Sequence, residues 1–478
     1  MHEDRLHSPV SLSGFPLAIL GCAFLLSRVP YIFSGYGLDP DAYFVMLSAR
    51  KILATVRYWM SRPPGYPLFE ILCALLSPGG FLATNAMTVL ISWLSVFPLR
   101  EILRLLRVKN QGWLLVTFCF APIVWIQSSC TMDYMWALFF ILAACCLFFR
   151  RKYSLGGVAL GIAVGFRLTS GLMILPLSLH LYFQERTVRK MLSPLFLFGL
   201  TCLLVYAPVF SSYGLSFLSY VPSKDPFYVW GYRTLSELLG FPAFLILAFG
   251  VFSLMFKIRR KEKVQQVDSD TLVLLLIVAG YSLLFLKLPA ETAYLIPLIP
   301  FGLILLDRIF SRKLFILFCI FFLLNGVVSI AAVDKKAYRT NGQIRILPFD
   351  YGTVVKNEKR RRAVYQNAQK LLPVAESLAK DHKTAVIVEW YKPVFEFLHQ
   401  SALEETTIDG RMPALKRRGK DLFFLESVTA GELAFLRERQ FTLYYLDAVK
   451  RAAPSSPDED LFTYARQMPG IDSYPVNY

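Results

Sequence analysis

Gly-Tyr-Gly-Leu-Asp-Pro-Asp-Ala-Tyr (35–43), running on to Ser-Arg-Pro-Pro-Gly-Tyr-Pro (61–67), lies between two strongly apolar runs at 15–33 and 65–78. An apolar, polar, apolar order of this kind reads as two membrane-crossing segments joined by a polar loop. The loop carries two carboxylates, Asp39 and Asp41, two residues apart. Arg50, Lys51, Arg57 and Arg62 follow, with Tyr43, Tyr58 and Trp59 among them. Acidic, basic and aromatic groups at the edge of a membrane are what a reaction on a charged lipid needs. The stretch 35–67 is therefore the candidate active-site loop.

The whole chain agrees with a membrane class. It has 478 residues, 55% of them hydrophobic, and a mean hydropathy of +0.48, and the excess falls in runs long enough to span a bilayer. In a soluble protein the net charge of +17 points to nucleic acid. Here much of it falls in short loops beside apolar runs, so membrane lipids with anionic headgroups explain it and no nucleic-acid partner is expected. The eight cysteines (22, 73, 119, 130, 145, 146, 202 and 319) all lie in or beside apolar runs, with no zinc-type spacing. Neither a disulfide framework nor a metal cluster is expected. The start, Met-His-Glu-Asp-Arg, lacks the basic region and cleavage site of a signal peptide, so the first apolar run reads as a retained anchor.

The candidate spans are 15–33, 65–78, 82–99, 112–129, 133–149, 154–182, 191–210, 239–256, 271–288, 293–306 and 314–333, about eleven in all. Lys and Arg in the short loops 184–190, 257–263 and 307–313 mark one face as cytoplasmic. The 35–64 loop, the 211–238 loop and everything after 333 then lie outside. Simple alternation also puts the basic segments 100–109 and 150–152 outside, against the positive-inside rule. Reading 154–182 as a short hairpin moves 150–152 inside but asks for a compensating turn earlier. The expected fold is an α-helical polytopic membrane protein with a small C-terminal extracytoplasmic α/β domain. Residues 1–333 form the transmembrane module and 334–478 the soluble domain, where 23 Lys and Arg stand against 19 Asp and Glu. Segment 358–381 predicts a helix; Thr384–Glu389, Asp421–Glu426 and Phe441–Leu446 predict strands, with a helix at 430–439. The tail from Pro454 predicts a loosely ordered start.

Several residues could carry chemistry. Asp39 and Asp41 flank a proline, which favours a turn, and one of them could cap a helix starting near Ala42. Either could instead serve as general base toward an acceptor hydroxyl. Two carboxylates alone are thin grounds for a metal, so a divalent ion is admissible but not required. Arg62 sits where a lipid phosphate would lie, or it snorkels. Pro63 and Pro64 fix the chain just before the next helix. Arg167, inside an apolar segment, needs a polar cavity or a partner such as Asp133 or Glu70; phosphate binding is its sharper reading. The aromatic 211–238 loop, with Lys224 and Arg233, suits interfacial anchoring or stacking on a sugar. Glu291 lies in a short external turn.

Asp-Pro-Asp-Ala-Tyr in an external first loop, then Ala-Arg-Lys (49–51), then Arg-Pro-Pro-Gly-Tyr-Pro-Leu (62–68) resembles membrane glycosyltransferases of the GT-C class. These are polyprenyl-phosphate-sugar enzymes related to protein mannosyltransferases and the aminoarabinose transferase of lipid A. The Gly-rich segment with Arg167, ending at Pro176, and Asp133 opening the fifth span are also similar to recurring family positions. The resemblance covers roughly 15–333. It implies a catalytic base at Asp39 or Asp41; the residue readings above add Arg62, Arg167, Tyr43, Lys224, Arg233 and Asp133 as substrate-binding candidates. It also implies a polyprenyl-phosphate sugar donor, a hydroxyl acceptor on a protein, lipid or glycan, and a GT-C-like cavity open to the outer leaflet. No cofactor is demanded, because the leaving group is a lipid monophosphate. A transporter or lipid flippase is the rival class, but the chain shows no internal repeat.

Overall fold

The computed structural model describes residues 14–218, 227–260, 268–288, 291–333 and 345–378, then 383–388, 391–399, 404–408, 412–416, 422–425, 434–436 and 438–445. It is mostly helical. The chain forms two compact units: Met1–Phe33 with Pro63–Phe69 and Leu82–Lys356, and Ser34–Arg62 with Glu70–Phe81 and Asn357–Tyr478. The composition change after 333 therefore does not coincide with the division between units. Most of the first loop belongs with the C-terminal segment.

In the first unit, α1 (Gly14–Ile32) precedes the loop. After the loop α4 (Gly80–Leu94) and α5 (Val96–Leu105) follow, while α2 (Asp41–Thr55) and most of α3 (Pro67–Leu76) belong to the second unit. Next come α6 (Gln111–Phe120), α7 (Pro122–Gln127), α8 (Tyr134–Phe149), α9 (Tyr153–Phe166), α10 (Ile174–Glu185) and α11 (Arg189–Tyr213). The set closes with α12 (Phe227–Arg233), α13 (Phe241–Arg259), α14 (Ser269–Lys287), α15 (Leu298–Ile309) and α16 (Arg312–Val327). Three described helical stretches are each long and apolar enough to cross a membrane: Pro67–Leu105, Arg189–Tyr213 and Ser269–Lys287. Trp230–Leu239 and Phe241–Phe256 together pass the same test but meet at 103°. An antiparallel ribbon, β1 (Val328–Val333) with β2 (Ile346–Tyr351), follows α16.

Two sequence expectations change here. Residues 65–78 and 82–99, expected as separate spans, belong to one helical stretch of 39 residues. The 3-10 turn Ser77–Gly79 interrupts it without reversing the chain. Residues 154–182, read as one long span with a short hairpin as the alternative, are α9 and α10 joined through a 3-10 turn at Leu168–Met173. The ends of that pair meet: the Tyr153 hydroxyl donates to Glu185 at 3.1 Å, and Arg151 donates to Gln184 at 3.3 Å. The pair is a hairpin. Gly157, Gly161 and Gly165 recur every fourth residue on α9, and a Cβ there would stand 2.3 Å from the Pro194 carbonyl, 2.5 Å from Thr201 and 2.1 Å from Val205. Bare backbone on this face lets α11 approach closely.

These changes bring the basic segments to one end of the unit, against the alternating assignment of 100–109 and 150–152. Glu101 pairs with both Arg104 and Arg150 at 2.7 Å. The Asp307 carboxylate, 2% exposed, accepts the Lys109 and Asn110 backbone N–H groups at 2.9 and 3.2 Å and the Asn110 side chain at 2.6 Å. Arg308 pairs with Asp268 at 2.9 Å, and Lys190 pairs with Glu185. Segments 100–110, 150–153, 184–190, 268 and 307–313 are thus tied to one another.

In the second unit, α17 (Thr353–Leu378, its first residues still in the first unit) and α18 (Lys392–His399) accompany a three-stranded parallel sheet. It is built from β3 (Thr384–Ile387), β6 (Leu422–Leu425) and β7 (Thr442–Tyr445) in the order β6-β3-β7. Residues of β3 and β6 are buried throughout, as befits a parallel sheet covered on both faces. Ala385, Ile387, Phe423 and Leu425 pack with Phe435 and Leu436 into one apolar core. A hairpin of β4 (Glu404–Ile408) and β5 (Met412–Lys416), which the sequence reading did not anticipate, completes the described part. The tail from Pro454 lies outside the described residues.

Single cysteines at positions 152, 186 and 311, in a C22A/C202A background, should all react with a membrane-impermeant maleimide from the same side of sealed vesicles. Labelling of position 152 from the opposite side would contradict the common basic end.

Candidate functional site

The first-loop site is built on the start of α2. Gly35 adopts φ +85°, a left-handed conformation that favours glycine. Asp39 Oδ1 accepts the Asp41 N–H at 2.9 Å, and the Asp39 carbonyl accepts the Ala42 N–H at 3.1 Å. Pro40 lies between them with helical φ of −56°. Asp39 thus forms an Asx turn leading into α2, and Pro40, at the N-cap, needs no donor there. Asp41, one helical position on, pairs through Oδ2 with Arg62 Nε at 2.7 Å. The two aspartates, equivalent in the sequence, hold different places.

Arg62 reaches Asp41 because the segment before it is fastened down. Glu70, fully buried, accepts the Ser61 N–H at 2.7 Å, the Ser61 hydroxyl and the Tyr58 hydroxyl. The Ser48 hydroxyl of α2 donates to the Trp59 carbonyl. The Lys51 ammonium lies 4.7 Å from the Trp59 ring centroid. Glu70, weighed in the sequence only as a partner for Arg167, is instead the anchor of residues 58–61. An acid within an apolar helix start was the available signal.

The far side of the loop packs on the C-terminal elements of the same unit. Tyr36 and Tyr43 stand edge-on to the Phe397 ring at 5.0 and 5.9 Å. Arg50 lies 3.6 Å over that ring and donates to the Phe397 carbonyl at 2.9 Å. Arg361 donates to the Gly35 carbonyl, and Arg362 to Ser34 and Glu358 at 3.1 and 2.6 Å. Tyr43, expected among the substrate-binding residues, is 1% exposed and belongs to this core. Burial pushes the Tyr36 hydroxyl up to about 12 and raises Tyr43 as well, so both stay protonated and neither acts as a base.

The second constellation lies within the helical unit. Arg167 ends α9 in extended conformation, its N–H bonded to the Ala163 carbonyl and its carbonyl accepting the Ser170 N–H, both at 2.9 Å. Its guanidinium is 5% exposed, pairs with Asp133 at 2.5 Å, and lies 3.9, 4.6 and 5.7 Å from the ring centroids of Tyr134, Tyr294 and Tyr66. Its Nε has no hydrogen-bond partner among the described residues. Of the two partners considered, the structure selects Asp133. A buried charge of this kind stays because its partner and the rings answer it. Arg28 of α1, fully buried and not singled out in the sequence, is held by the Cys119 carbonyl, by Ser128 at 3.2 Å and by the Phe24 and Trp125 rings at 4.0 and 4.4 Å.

Arg233 falls on the last turn of α12. Lys224 lies outside the described residues. Glu291 precedes the 3-10 turn Thr292–Leu295. Among the described residues no three His, Cys, Asp or Glu side chains group closely enough to hold a metal ion. The structure thus brings together Asp39, Asp41 and Arg62 in one place and Asp133 and Arg167 in another.

No protein-family model and no curated protein sequence matches the chain. A solved structure similar to it is that of the arabinosyltransferase EmbB from Mycobacterium smegmatis, determined by cryo-electron microscopy, at 13% identity and a TM-score of 0.41. The match covers 80% of this chain and 34% of that one, so the chain spans about a third of that protein's length.

Removing one member of the Arg167–Asp133 pair should cost about 3–5 kcal/mol in unfolding free energy, and the double variant R167M/D133L should recover most of it. Denaturant unfolding of the single and double variants checks this. Full additivity of the two losses would show that the pair does not act as a unit.

Proposed function

We propose that the chain is a membrane glycosyltransferase that moves a sugar from a polyprenyl-phosphate donor to a hydroxyl acceptor, with Asp39 as general base. The observation that supports it is the division of labour between the two acids. Asp41 is engaged by Arg62 at 2.7 Å. Asp39 has its Oδ1 on the Asp41 N–H and is the acid of the pair to which the reading assigns proton transfer.

In this mechanism Asp39 takes the proton of the acceptor hydroxyl as the oxygen attacks the anomeric carbon. The bond from that carbon to the lipid phosphate oxygen breaks on the opposite face, and polyprenyl phosphate leaves with its electron pair. The sugar configuration inverts in the single displacement. Arg62 is proposed to meet the negative charge that develops on the phosphate, with Asp41 setting its position and Glu70 fixing the segment that carries it. Arg167, with Nε unpartnered among the described residues, is proposed as a second anion-binding cation, tested independently in the helical unit. The basic end of the helical unit is proposed to be cytoplasmic by the positive-inside rule, and the chemistry to take place on the outer face.

Transfer from labelled polyprenyl-phosphate sugars should fall about 10²–10⁴-fold in kcat for D39N, the range of a lost general base. D41N should retain more activity and lose chiefly donor affinity, through a loosened Arg62. Equal activity of D39N and the parent chain would overturn the assignment.

A further inference from the structure

We propose that the cleft between α13 and the α15–α16 corner binds an anionic phospholipid. The proposal rests on the chain spanning a membrane and not on the glycosyltransferase reading. The cleft, about 370 Å³, is walled by Phe249 and Leu254 of α13, by Ile309 and by Leu317 of α16. It opens on the outside of the helical unit, where Phe249 and Leu317 are 64% and 43% exposed. Its depth depends on Gly250, where a Cβ would stand 2.2 Å from the Phe310 ring.

One end of this apolar slot is cationic. Lys313 is the charged side chain among the lining residues, and the Ser311 hydroxyl beside it is occupied, accepting the Leu314 N–H at 3.4 Å. Arg312 is exposed next to Lys313, and Arg259, which ends α13, and Arg260 just beyond it are also exposed. This is the basic end described above, joined through Arg308 and Asp268. An acyl chain suits the walls, and a negative headgroup suits the ammonium at the level where helices leave the bilayer. A free anion gains nothing from four apolar walls, and a zwitterionic lipid gains little from the cation. The chemistry therefore selects an anionic lipid.

The test titrates the full chain in detergent with phosphatidylglycerol and with phosphatidylcholine of identical acyl chains, counting bound lipid by native mass spectrometry. The wild-type protein should prefer phosphatidylglycerol by about fivefold for a single well-placed cation. K313Q should abolish the preference and K313R should keep it. L254W, which fills the cleft, should weaken both lipids. K190Q, at the same end but outside the cleft, should leave the preference intact. The proposal is overturned if K313Q keeps the wild-type ratio, if K190Q lowers it as far as K313Q, if L254W leaves both lipids bound as before, or if glycerol 1-phosphate alone displaces phosphatidylglycerol.

Discussion

A charge taken out of water must be answered by partners that are also out of water, and in this chain that constraint decides how the apolar helices and the polar loop are fastened. Glu70 answers Ser61 and Tyr58. Asp133 answers Arg167 inside a ring of tyrosines. Asp307 answers two backbone N–H groups at the start of α6. Each of these groups would be too costly to keep in a purely packing role. The reach ranges from neighbouring segments, Glu70 with Ser61, to distant ones: Asp307 lies 198 residues from Lys109.

The same links account for the distribution of charge along the helical unit. Glu101, Glu185 and Asp307 tie four basic segments together, so Lys and Arg concentrate at one end while Arg167 and Asp133 sit at the far ends of α9 and α8 from Tyr153 and Phe149. A stripe of glycines on α9 lets α11 approach closely along that hairpin. The excess of positive charge is thus an organised feature of one end of the unit.

Much of this was legible in the sequence. The apolar runs and the strands read at 384–389, 421–426 and 441–446 followed from periodicity and composition, and the cost of intramembrane charge asked for a partner for Arg167, with Asp133 one of two offered. What was not legible depended on contacts between distant segments. Ser-Pro-Gly-Gly at 77–80 looks like a chain reversal but only interrupts a helix, because turn chemistry is local and helix continuation is decided by packing. The hairpin at 167–173 was one of two readings the sequence allowed, and the contact of Tyr153 with Glu185 decides between them. The packing of the first loop on Phe397 and Arg361 had no local signature, and it is why Tyr43, which reads as a binding residue beside two acids, is core. The pairing of Asp41 with Arg62 is a contact between separate segments that no local pattern announces.

On this account the first loop is an acid–base device: the turn into α2 holds one carboxylate, an arginine pairs with the other, and a buried glutamate holds the arginine's segment. Its central claim is a direct displacement at the anomeric carbon by a hydroxyl deprotonated at Asp39. The most direct measurement is the anomeric configuration of the product, by nuclear magnetic resonance, when the wild-type chain in proteoliposomes is given a polyprenyl-phosphate sugar of known configuration. The account predicts inversion, with one polyprenyl phosphate released per sugar transferred. Retention of configuration, or release of the polyprenol without its phosphate, would contradict it.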